Sequence, residues 1–392
     1  MAAYSSSAVQ RLVSFLREDL GQQGRIPLHA PTFGGLEKDY VADCIDSTYV
    51  SSVGDYVVRF ENEVARRSGC AFGVATMNGT AAIHALLYTL GVGRGDLVIC
   101  PALTFVATVN AILYTGAQPV FLDSDPDTLG LSLTEVERFL QACEQRADGV
   151  WHEGQRVRAA LPVHIFGHVI DVVSLSVICA AYGVVVVEDA AESLGASRDG
   201  RQAGSLSVAA ALSFNGNKVV TTGGGGAIVT NDEALAVRLK HLTTTARAKQ
   251  GWTFFHDEMG FNYRMPNLNA ALGLAQMEQL DGFISAKREL ASRYESLFQG
   301  CADVQFVKEA AGVRSNYWLQ AIMLPDLAAR NDALEVLQAE GIEARPCWTL
   351  MIDLPYLKDA LRFGDLAVAR DIENRLVNIP SSPSLLAPTA EG

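Results

Sequence analysis

Between about residues 70 and 190, short and almost unbroken apolar runs alternate with longer segments whose apolar positions recur near every third or fourth residue. FGVATM, DLVICP, QPVFLD, ALPVHIFG and GVVVVED, each bounded by Gly, Pro or Asp, predict strands. The intervening GTAAIHALLYTLG, TFVATVNAILYTG, SLTEVERFLQACEQ and DVVSLSVICAAYG predict helices. Strands apolar on both faces and separated by helices imply an α/β fold with a largely parallel sheet covered on both sides. Ligands of such sheets gather at the carboxyl ends of the strands, which is where chemistry is sought.

After residue 205 the pattern changes. SVAAALSF and GAIVT read as two strands joined by NGNKVVTTGGGG, too short a link for a crossover helix. NDEALAVRLKHL predicts a helix with Asn231 or Asp232 as its cap. A long helical segment from Asn267 to Phe298 follows Pro266, and residues 300–385 mix strand-like and helical pieces. The expected division is a large domain over 1–265, including an N-terminal helical segment, and a smaller α+β domain over 266–392 that includes the bridging helix.

The formal charge of −13, from 31 basic against 44 acidic residues, argues against nucleic acid or an anionic membrane as main partner, since both are held through Lys and Arg. A small anion stays compatible, because a helix N-terminus binds one locally. Seven scattered cysteines, none in a C-x-x-C pair, predict reduced thiols and neither disulfides nor a metal site. The N-terminal stretch lacks a basic segment followed by an apolar block, and no apolar run approaches membrane-spanning length; a cytoplasmic enzyme is expected.

Four features stand near predicted strand ends. Asn78-Gly79-Thr80 opens a helix, which suits either a phosphate or a plain cap. Glu188-Asp189 ends the run VVVV; buried carboxylates there need a cation, such as a protonated pyridine nitrogen, unless they cap the next helix. Lys218 lies between two apolar strands, where a lysine is ordinarily a solvated charge but, if buried, becomes a candidate nucleophile. Ser213 precedes it by five residues, and Gly223 to Gly226 predict a close-packed turn beside it. No Walker A loop or dinucleotide fingerprint is present, which disfavours a nicotinamide-dependent sugar dehydrogenase.

Taken in order, MNGTAA, PALTFVATVNAI, VEDAAESLGA, SFNGNKVVTTGGGGAIVTND and MGFNYRMPNLNAALGLAQ resemble the DegT/DnrJ/EryC1/StrS family of sugar aminotransferases over nearly the whole chain. The resemblance implies the type I fold of aspartate aminotransferase and a pyridoxal 5′-phosphate (PLP) cofactor. It implies Lys218 as the Schiff-base lysine and Asp189 as the carboxylate on the pyridine nitrogen. Gly79, Thr80 and Ser213 match phosphate-holding positions, Phe105 matches the aromatic packed on the ring, and Asn262 matches an asparagine reaching the phosphate of a neighbouring subunit. A homodimer with shared active sites follows from that last match. The implied reaction moves an amino group from L-glutamate to a nucleotide-linked 4-keto-6-deoxy sugar, with UDP-linked N-acetylhexosamine the implied subtype, in surface-glycan biosynthesis. A catalytically silent PLP- or nucleotide-sugar-binding regulator is the alternative, disfavoured by the intact Lys218, Asp189 and Ser213. Some relatives that remove a hydroxyl carry histidine in place of the lysine.

The chain departs from the family pattern at two places. Glu192 stands where many members have Gln or His, so a carboxyl is expected near the cofactor's phenolic oxygen, protonated or turned away. In RPCWTLMIDLPYL, Ile352 or Asp353 occupies the neighbourhood of a histidine that often lies near the substrate.

Overall fold

A computed structural model describes residues 7–248 and 252–386. The strand–helix alternation forms as the hydrophobic pattern dictates. Asp96–Pro101 lies parallel to both Gln118–Leu122 and Gln155–Ala160, and Val185–Val186 adds to the latter, also parallel. Glu188–Asp189 then pairs parallel with Ala209–Ser213. A bridge between Val163 and Asp189 joins the two groups of strands, so the sheet curls through the Asp189 region.

Alternate residues of one strand feed separate cores, the expected result of a period of two. Leu97 and Ile99 enter one cluster while Val98 and Cys100 enter the other. Burial on both faces explains why these strands read as continuous apolar runs. The lack of a crossover after Ser213 has the predicted effect: Gly226–Thr230 is antiparallel to Ala209–Ser213. Phe72–Thr76, expected within the parallel set, pairs instead antiparallel with Gly226–Thr230. Its helix crosses to a different part of the sheet, leaving this strand to be covered by the late hairpin.

Two helices are shorter than their periodicity suggests. The one at SLTEVERFLQACEQ ends at Ala142, and Glu144–Arg146 pairs as a strand with Gly149–His152. The long helix divides into Asn267–Glu278 and Leu280–Phe298. Near the break, Gln276 and Gln279 both donate Nε2 to Glu37 Oε1, at 2.6 and 2.7 Å, a tertiary demand on the backbone that local propensity does not reveal.

The smaller sheet includes Gln320–Met323 and Arg345–Pro346, both antiparallel to Leu376–Ile379. Its core contains Leu290, Tyr294, Ile322 and Val377 together with Ala8, Val9 and Leu12 of the first helix. Ser7–Ser14 packs on the later part of the chain, where its apolar stripe meets the Leu280–Phe298 helix. All seven cysteines are unpaired. No described helix is long and apolar enough to cross a membrane.

Candidate active site

Asp189 and Glu188 are adjacent, so the strand sends their side chains to opposite sides. Glu188 accepts from the backbone N–H groups of Gly204, Leu206 and Ser207 at 2.9–3.0 Å, from Ser207 Oγ at 3.0 Å, and makes a 2.9 Å contact with His164 Nε2. Burial opposes its charge, yet these partners, His164 foremost, hold its carboxyl below the usual range. It is a structural clamp. Asp189 receives only Thr108 Oγ1 at 2.7 Å and the Ala191 N–H at 3.1 Å. Burial wins there and pushes its carboxyl up, with Thr108 and Ala191 pulling the other way.

Lys218 is no solvated charge. Its side chain is 12% exposed, and its Nζ lies 3.3 Å from Glu192 Oε1, whose side chain is 4% exposed. The turn carrying it is closed by hydrogen bonds from Lys218 N to Asn215 O and from Phe214 N to Gly225 O. The indole of Trp318 sits against the amine, 3.6 Å from ring centroid to Nζ. Glu192 neither turns away nor lacks compensation: its second carboxyl oxygen accepts the Phe166 N–H at 2.9 Å. Phe166 aims that N–H from a left-handed backbone at φ 54°, a conformation that costs an L-residue about 1–2 kcal/mol. Burial raises the Glu192 carboxyl, while Lys218 draws it down.

A third wall forms where the Gly79–Thr89 helix begins. Asn78 caps it by accepting the Ala81 N–H at 2.8 Å. A Cβ at Gly79 would come within 2.9 Å of Ser213 Cβ, and one at Gly226 within 2.5 Å of the Asn78 carbonyl. The glycines thus let the helix start, the end of the Ala209–Ser213 strand and the late hairpin converge. The hydroxyls of Thr80 and Ser213 make no hydrogen bond to described residues and line the same space as the helix N-terminus, a favourable seat for an anion.

These walls enclose a cavity of about 650 Å³. Gly79, Thr80, Phe105, Asp189, Glu192, Ser213 and Lys218 all line it; Asn262 does not. Asn262 is exposed, and its Oδ1 accepts from Arg264 Nε and Nη2. Neither Ile352 nor Asp353 reaches the cavity, and Asp353 pairs with Arg370 at 2.6 Å. The remaining wall comes from Trp318, Arg345 and Trp348, which no local motif singles out. The one available signal is the first aromatic of RPCWTLMIDLPYL, Trp348. Trp348 packs 4.9 Å from Phe166 and 6.2 Å from Phe105, centroid to centroid.

Residues 32–391 match the DegT/DnrJ/EryC1/StrS aminotransferase family. The chain belongs to that family. GDP-perosamine synthases from Escherichia coli O157:H7 and Caulobacter vibrioides are 37% and 35% identical to it, each over 92% of this chain and 94% of their own. The crystal structure of DesV from S. venezuelae, in complex with a ketimine intermediate, superposes with a TM-score of 0.83 at 28% identity, covering 93% of this chain and 95% of that one. The fold is the type I PLP-dependent transferase fold, the cofactor is PLP, and the chain is a sugar aminotransferase of nucleotide-sugar biosynthesis.

The cavity fits that cofactor. Asp189 is a buried carboxylate short of donors, which a protonated ring nitrogen would satisfy. Thr80 and Ser213 offer free hydroxyls beside a helix N-terminus, as a phosphate requires. Lys218 supplies a sheltered amine.

Proposed function

We propose that this aminotransferase takes its amino group from L-glutamate and delivers it to a nucleotide-linked 4-keto-6-deoxy sugar, working in the cytoplasm as a homodimer. The observation that carries the reading is the sheltered Lys218 amine sharing one cavity with the under-compensated Asp189 and the Thr80–Ser213 corner.

In this reading Lys218 holds PLP covalently, Asp189 keeps the ring nitrogen protonated, Gly79, Thr80 and Ser213 hold the phosphate, and Phe105 packs on the ring. When bound, the cofactor supplies an electron sink for the carbon that loses its proton. Lys218, as a free amine, would take the proton from the α-carbon of glutamate and pass it to the bound cofactor; in the second half of the cycle it would give one to the sugar carbon that comes to bear the amino group. Glu192 stands beside the Lys218 amine, and the ring face of Trp318 covers it. Asn262, exposed and outside its own chain's cavity, serves the phosphate of a second copy.

The resemblance of the SFNGNK–TTGGGG stretch supports a UDP-linked N-acetylhexosamine as acceptor. The names of the two relatives support a GDP-linked sugar as the second reading. Purified protein loaded with PLP is expected to show the visible absorption of lysine-bound cofactor, to bleach with L-glutamate alone, and to lose both properties in Lys218→Ala. A band that glutamate leaves unchanged would favour a silent binder. UDP- and GDP-linked 4-keto-6-deoxy sugars offered to the glutamate-bleached protein then decide the base, because only the true acceptor restores the band.

A further inference from the structure

The seat of the Lys218 amine is built from both sides. Glu192 contributes a carboxylate oxygen at 3.3 Å, and Trp318 presents its ring face at 3.6 Å from centroid to Nζ. Each is anchored by contacts other than the lysine side chain. Glu192 is held through its other oxygen by the strained Phe166 N–H, and its backbone carbonyl accepts Asn316 Nδ2 at 3.0 Å. Trp318 is held by Nε1–H donation to the Asn217 carbonyl at 2.7 Å and by Asn316 Oδ1, which accepts its backbone N–H at 2.9 Å. Asn316, fully buried, therefore couples the two.

A neutral glutamine or histidine at residue 192 would leave an ammonium in this sheltered place without a counter-charge, at a substantial desolvation cost. The carboxylate removes that cost, and the indole face adds an electrostatic attraction. Asp189 is not available for the task, because its cavity-facing charge answers the ring nitrogen.

We propose that Glu192 and Trp318 form a resting seat for Lys218 in its free, protonated form, and so favour the half of the cycle in which the amino group resides on the cofactor. The inference rests on Lys218 being the cofactor-bearing lysine. Glu192 is then a positioning residue that sets the balance between the two cofactor forms, beyond shaping the pocket.

The test is equilibrium binding to apo-protein, with no turnover involved. Wild type, Glu192→Gln and Trp318→Phe are titrated separately with pyridoxamine phosphate, which leaves Lys218 free, and with PLP, which ties it up. Glu192→Gln is expected to leave pyridoxamine phosphate affinity within about threefold, because Lys218 is free before and after that binding, and to tighten PLP by roughly tenfold, because only PLP draws the lysine out of its seat. Trp318→Phe is expected to move the same ratio in the same direction by a smaller factor. Equal losses for both forms, or an unchanged ratio, would overturn the proposal and leave Glu192 a pocket-shaping group. Circular dichroism confirms folding; should Glu192→Gln fail to fold, the ratio in Trp318→Phe decides alone. If wild type captures neither form, the assignment of Lys218 itself falls, an outcome separate from an unchanged ratio in a protein that binds both.

Discussion

Trp318 donates its indole N–H to the carbonyl of Asn217 at 2.7 Å, so a residue 101 positions on grips the peptide immediately before Lys218. Lys287, wholly buried, in turn donates to the carbonyls of Trp318 and Ser381. The turn that carries Lys218 is therefore held from across the cavity as well as by its own hairpin. Seating of Trp318 and placement of the lysine are one mechanical problem.

Trp318→Ala should accordingly lose more than stability. Removing a buried indole costs about 3–5 kcal/mol by transfer and cavity terms, and chemical denaturation measures that. The same variant should capture PLP more slowly, because the Lys218 turn loses its brace; stopped-flow absorbance checks this. Unchanged capture would mean that the hairpin alone positions the lysine.

Asp189→Asn preserves shape but not charge. Transamination should fall by roughly 10²–10⁴-fold, the usual span for a lost protonation control, as read from single-turnover bleaching with glutamate. The apo-protein should behave in the opposite sense. Burial raises the Asp189 carboxyl above its ordinary 3.8, so folded apo-protein binds this proton before unfolded chain does, and this residue's contribution grows as pH falls through the raised value. That component of the pH–stability curve should vanish in the variant.

Glu188→Gln tests the clamp on the other side of the strand. One amide cannot satisfy five donors as a carboxylate does, and a loss of about 3–5 kcal/mol at neutral pH is expected. Because the Glu188 carboxyl is held below its ordinary 4.5, its stabilisation is complete above that value and disappears as pH falls through the lowered one. Acid-unfolding curves of wild type and variant should converge in that window.

The proposed sharing of sites between two copies allows a sharp complementation experiment. Lys218→Ala would lack the proposed nucleophile, and Asn262→Ala the group proposed to reach a neighbour. Separately each should be inactive or nearly so, while random mixing places one intact site in each mixed dimer and restores about a quarter of wild-type activity. No recovery after subunit exchange would confine Asn262 to its own chain.

The parts of the site legible in sequence are those built from adjacent residues. Gly79 and Thr80 open a helix, Ser213 and Lys218 flank one turn, and Asp189 ends one strand; each motif is local, and its order along the chain is preserved. Trp318, Phe166 and Trp348 are illegible because they meet only when segments far apart in sequence pack together, and an aromatic at an apolar position reads as ordinary core. Glu192 was visible as a departure, but its direction depended on an N–H from Phe166, whose left-handed backbone no periodicity announces. The helix break next to Gln279 was hidden for a related reason: glutamine suits a helix, and the buried Glu37 that recruits it lies far away in sequence. Strand direction failed at Phe72–Thr76 since apolar alternation carries no sign for parallel or antiparallel pairing.

The first helix, with its core partners near the far end of the chain, sets an order of assembly. Ala8, Val9 and Leu12 share a core with Val377 and Ile379, and Ser381 donates its backbone N–H to Leu28. During synthesis, Ser7–Ser14 emerges long before these partners and must wait, apolar stripe exposed, until Leu376–Ile379 has been made. The curled sheet shares part of this dependence, since Leu361–Arg362 pairs with Gln118–Leu122 at its edge. A chain truncated before Leu376 would therefore expose, on Ser7–Ser14, a surface that invites aggregation.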